Sequence, residues 1–114
     1  KQKTDQLMIS IFYFNTSLSA DEAKIAFKRI IEHRRNAEKE TQPAPSLTNP
    51  QIIEKDGYIY SKWYSRVSSE EMRGITLVTF EHNKAYTLFL ESYGTSDEYL
   101  NKTADMVFEN FKTK

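Results

Sequence analysis

The chain has 114 residues, 39% hydrophobic and 13% aromatic, with 16 basic against 16 acidic side chains and no cysteine. That length suits one compact domain over residues 1–114, and the large rings supply a core without metal or disulfide. The charge balance argues against a nucleic-acid partner, and the lack of cysteine excludes disulfides, thiol catalysis and thiolate-bound zinc.

The opening, KQKTDQ, is polar and has no Met. A removed leader accounts for it, as does a chain boundary. No stretch has the apolar length of a membrane span or of a signal-peptide core. Residues 7–15, LMISIFYFN, place Ile9, Ile11 and Tyr13 on one face and Met8, Phe12 and Phe14 on the other. Such a run predicts a strand buried on both sides. Residues 19–40 predict a helix. Ser19 and Glu22 have capping-box spacing, and Ala23, Ala26, Phe27, Ile30 and Ile31 form an apolar stripe. The Pro-rich stretch TQPAPSLTNP ends that helix and reads as a long loop.

The second half reads as a meander. QIIEK and YIYSKWYSRV flank Asp56-Gly57, a type I′ hairpin signal. SSEEMRG reads as a polar loop. ITLVTFE and AYTLFLES flank a tight turn around Asn83, and a final helix starts from Thr95 or Ser96. Leu100, Ala104, Val107, Phe108 and Phe111 form its apolar stripe. The order β-α-β-β-β-β-α predicts an α+β fold. Its mainly antiparallel five-stranded sheet carries two amphipathic helices in an α-β-α sandwich-like arrangement.

The paired strands GITLVTFEHNKAYTLFLES, the closing helix YLNKTADMVFENFK and the early LMISIFYFN strand before a long helix carry a resemblance. Together they resemble the Mog1/PsbP-like superfamily, which includes the DcrB-type bacterial periplasmic lipoproteins. The family often starts with a hairpin bearing a Gly-Trp element, which has no counterpart here. The resemblance implies an α-β-α sandwich with a non-enzymatic binding or accessory role, and it carries over no catalytic residue.

Side-chain chemistry agrees. His33 and His82 lie outside any metal-binding or metalloprotease spacing. There is no nucleophile elbow and no Gly-rich phosphate loop. The pairs Glu70-Glu71 and Asp97-Glu98 fall in a polar loop and at a helix start, where acid suits the dipole. No catalytic residue, cofactor or metal is therefore expected. The basic cluster Lys28, Arg29, His33, Arg34 and Arg35 is interleaved with Glu32 and Glu38, so it reads as a solvated face. Matches to the glycosylation sequon at Asn15 and Asn101 are of the kind that chance supplies.

The stretch DGYIYSKWYSRV is the best candidate for binding. Tyr58, Tyr60, Lys62, Tyr64 and Arg66 share one strand face. That face reads as sheet core, with a partner surface as the alternative. In the latter case Glu70, Glu71 and Arg73 would form its polar rim and Met72 an adaptable contact. The resulting expectation is a non-enzymatic accessory domain that binds another protein and acts outside the cytoplasm. It would be periplasmic or held by a lipid anchor upstream of the chain, with an immunity or inhibitor type among the roles that fit. The alternative is a small-molecule carrier with an apolar pocket between sheet and helix. Against it, Phe27, Ile30, Phe108 and Phe111 are large enough to fill such a pocket.

Overall fold

A computed structural model of the chain describes the backbone of residues 5–13, 19–55, 58–81 and 84–112. It describes their side chains except those of 11–13, 20, 55, 58, 80, 81, 84 and 110–112. The elements run β1 (Gln6–Tyr13), α1 (Ala20–Lys39), β2 (Ser46–Leu47), β3 (Gln51–Lys55), β4 (Tyr58–Val67), β5 (Met72–Glu81), β6 (Lys84–Tyr93) and α2 (Asp97–Lys112). A single 3-10 turn, Ser68–Glu70, joins β4 to β5.

The strands form one antiparallel sheet in the order β1-β6-β5-β4, with β2 and β3 both paired to the far edge of β4. The fold is thus α+β as expected, with six strands rather than five. The additional strand comes from the Pro-rich stretch, where Ser46 pairs with Arg66 and Leu47 with Ser65. Only the tertiary edge of β4 makes two such residues a strand. β5 also starts earlier than the sequence suggests, because Met72 and Arg73 continue the ladder against Tyr93 and Ser92. The hairpin residues Asp56, Gly57 and Asn83 lie outside the described residues, as does His82. The strands that flank them pair antiparallel, Lys55 with Tyr58 and Glu81 with Lys84.

α1 starts as its sequence dictates. The Glu22 N–H donates to Ser19 Oγ at 3.2 Å, and the Ser19 N–H donates to Glu22 Oε1 at 2.9 Å. These bonds hold the Glu22 carboxyl below its ordinary value, the backbone bond to Ser19 contributing most. In α2, Ser96 is the cap, its Oγ accepting the Tyr99 N–H at 3.1 Å.

Strand alternation divides the core between the two sheet faces. On one, Phe27 and Ile31 of α1 pack on Trp63 and Val78. On the other, Leu100, Ala104 and Phe108 of α2 pack on Ile75, Leu77 and Leu88. Helices therefore cover opposite faces of one sheet. Phe111, expected on the α2 stripe, has its side chain outside the described residues.

Candidate functional site

The predicted binding face divides along β4. The side chain of Tyr58 lies outside the described residues. Tyr60 is 8% exposed, with its ring centroid 5.2 Å from that of Phe108, so it belongs to the core. Lys62 Nζ donates to Asn101 Oδ1 at 2.7 Å, and the Tyr64 hydroxyl donates to the same oxygen at 3.3 Å. Burial beneath α2 pushes the Tyr64 phenol up, with smaller contributions from Asp97 and Asp105. α2 thus covers the face from Tyr60 to Tyr64, in keeping with its reading as sheet core, and the alternative of an open aromatic surface does not hold there. The apolar side of the helix needed a partner, and these rings provide it.

Beyond Tyr64 the molecule opens. Arg66, Glu70 and Glu71 are exposed, while Met72 and Arg73 are half-buried on β5 rather than in a loop. Arg73 Nη1 meets Asp97 Oδ1 at 3.1 Å, which ties the strand to the start of α2. Glu71 takes the left-handed conformation at φ 54°, a position that usually favours glycine. Its N–H donates to Ser68 O at 3.2 Å, and its carbonyl accepts the Gly94 N–H at 3.1 Å. Two bonds therefore fix the backbone on which the exposed acids stand. We call this segment, from Arg66 to Arg73, the crest.

Two clefts flank the crest and share Met72. The one on the α2 side encloses about 430 Å³ between Arg66, Glu71, Arg73 and Thr95. The other, about 350 Å³, lies between the sheet and the end of α1, with Phe89 and Val67 in its lining.

The polar centre nearest the second cleft escaped the sequence reading. Glu38 is 6% exposed. Its Oε1 accepts the Trp63 indole N–H at 2.8 Å, and its Oε2 accepts Thr76 Oγ1 at 2.6 Å and Arg34 Nε at 2.9 Å. The Arg34 guanidinium lies 5.1 Å from the centre of the Phe89 ring. Arg35 lies 5.2 Å from that of Trp63 and donates to Thr48 O at 2.8 Å, pinning the segment after α1 against β4. Arg34, Arg35 and Glu38 are therefore not a solvated face; they continue the buried stripe of α1. The signal was the spacing itself, since Phe27, Ile31, Arg34 and Glu38 recur at helical intervals. A buried carboxylate held by three donors acts as a clamp between α1 and the sheet.

His33 is exposed. Among the described residues no three His, Asp or Glu side chains converge as metal ligands, and no helix is long and apolar enough to cross a membrane.

Comparison with protein-family sequence models finds no match, and neither does comparison with characterised protein sequences. Comparison of structures does find matches. The solution structure of cyanobacterial PsbP (CyanoP) from Synechocystis sp. PCC 6803 superposes with a TM-score of 0.63 at 17% identity. The match covers 95% of this chain and 66% of that one, so the chain spans about two thirds of its structural neighbour. An antiparallel sheet with a long helix on each face, matched over nearly the whole chain, gives this protein the Mog1/PsbP-like fold.

Proposed function

We propose that this chain is a non-enzymatic accessory domain that binds another protein through the crest, with Arg66, Glu70, Glu71, Met72 and Arg73 as the contact residues. Lys62 and Tyr64 form the inner margin, already tied to α2, and Tyr60 supports them from the core. The observation that carries this reading is Glu71. An exposed non-glycine residue is held at φ 54° between two clefts, and backbone strain of this kind concentrates at functional sites. The mixed charges and the shared Met72 suit a protein surface better than a single small ligand. The fold resemblance supports an accessory role and a location outside the cytoplasm.

Two substitutions test the surface. Arg66→Glu reverses an exposed charge, and Glu71→Gly removes a carboxylate while suiting the left-handed backbone. Each is expected to weaken association with the natural partner by about tenfold, which is about 1.4 kcal/mol, with an unchanged unfolding midpoint. Lys24→Glu, on the exposed side of α1, is the control. Full association in both crest variants would exclude this surface.

A further inference from the structure

We infer that the free edge of β1 is a self-association surface, on which β1 of a second copy of this chain adds antiparallel and joins the two sheets about a two-fold axis. β1 is the terminal strand of the sheet, and among the described residues its backbone pairs on one side only, with β6. Its register on β6 runs from Gln6–Glu91 to Tyr13–Lys84 without a bulge. Asp5 Oδ1 accepts the Ser92 hydroxyl at 3.0 Å, which fastens the start of β1 to β6. The edge is therefore regular and anchored.

The two edges of the sheet are built differently. At the β4 edge the outer strands are β2, of two residues, and β3, of five. A proline precedes each, Pro45 and Pro50, and β3 ends in Glu54 and Lys55. Short strands, prolines and charges keep an edge from recruiting another chain. β1 has none of them. Its eight residues, QLMISIFY, include no charge and no proline, and Leu7, Met8 and Ile9 stand 47%, 47% and 41% exposed. Leu7 and Ile9 oppose Leu90 and Leu88, on the sheet face that carries α2. Met8 opposes Phe89, on the face that carries α1. Apolar surface thus flanks the open backbone above and below.

The lack of charge selects the occupant. A charged strand would set its ions against Leu7 and Ile9 with nothing to pair them, whereas a second β1 brings none. Strand alternation makes that pairing self-consistent. A two-fold axis normal to the sheet opposes odd residues to odd and even to even, so each face of one sheet runs on into the same face of the other. A centred ladder has either Ile9 facing Ile9 or Ser10 facing Ser10. Every second residue of the strand turns its N–H and C=O outward, so the joint supplies about eight backbone hydrogen bonds, within the number that protein interfaces carry. The axis leaves the two crests at opposite ends of the pair, and the inference does not rest on the crest reading.

Sedimentation equilibrium of the chain from micromolar to millimolar concentration tests it. A concentration-dependent dimer is expected. Ile9→Lys and Met8→Lys, which charge the edge from opposite faces, should each weaken the dimer by about tenfold or more without altering the unfolding midpoint. Ile25→Lys, exposed on α1, should leave it unchanged. Because the chain has no cysteine, single cysteines report the register. Opposed residues of an antiparallel pair lie about 4.5–5.5 Å apart at Cα, a separation that a disulfide spans. Mild oxidation should therefore link two copies through Ile9→Cys or through Ser10→Cys, and not through Ile52→Cys on β3. A chain that stays monomeric throughout, a dimer of unchanged strength in either folded lysine variant, loss of the dimer in Ile25→Lys, or no link from either β1 cysteine would each overturn the inference. Arg66→Glu and Glu71→Gly should leave self-association as it is, so failure of the crest and failure of the β1 edge give different results.

Discussion

Glu38 illustrates how one residue sets the local structure. Three donors converge on a carboxylate that is nearly out of water, and the chain's single Trp is one of them. Glu38→Ala removes the acceptor while leaving the indole N–H and the Thr76 hydroxyl buried. Loss of one partner from such a cluster costs about 2–4 kcal/mol. Denaturant unfolding followed by Trp63 fluorescence measures it directly, and Glu32→Ala on the exposed side of the same helix is expected to change little. At Tyr93, the hydrogen bond to Glu91, aided by burial, pushes the phenol from 10.0 up to about 12. Because the folded value lies above the unfolded one, the stabilisation is present below pH about 10 and is lost as pH rises through about 12. Tyrosinate absorbance should show this late ionisation, and Glu91→Ala should return it towards the ordinary value.

At the scale of elements, stability depends on how each helix meets the sheet. α2 buries Leu100, Ala104 and Phe108 on one face. Phe108 stacks on Tyr60, and Phe108→Ala is expected to cost about 3–5 kcal/mol, read from the denaturation midpoint at unchanged slope. A loss below about 1 kcal/mol would mean that α2 does not dock through this ring. The sequence made most of this legible. The capping box of α1, the stripe of α2 and the four long antiparallel strands follow from local periodicity and turn chemistry, but β1, expected to be buried on both sides, lies at the end of the sheet with Leu7, Met8 and Ile9 exposed. β2 did not, since two residues have no period of their own and gain a partner only from the edge of β4. The start of β5 was hidden because EMRG is polar, although its backbone continues the ladder. The binding face was legible as an alternation but not as an exposure. Whether Tyr60 and Tyr64 face water depends on where α2 lies, and no residue of β4 encodes that. Arg34 and Glu38 were misplaced for a related reason: charge reads as surface until a buried Trp N–H and a Thr hydroxyl are seen to need an acceptor.

On the scale of the whole molecule, the two helices take up the sheet faces and leave the β4–β5 end as the place where exposed charge, a left-handed residue and two clefts meet. We propose that a partner protein engages this end. Photo-crosslinking tests it, with a benzophenone amino acid placed singly at Glu71, at Ile25 on α1 and at Met106 on α2, all three exposed, in the full-length protein in its native cells. Mass spectrometry identifies the crosslinked chain at each position. One and the same partner protein is expected to be captured from position 71 and to be absent from 25 and 106. Capture from either helix position in place of 71 would contradict it.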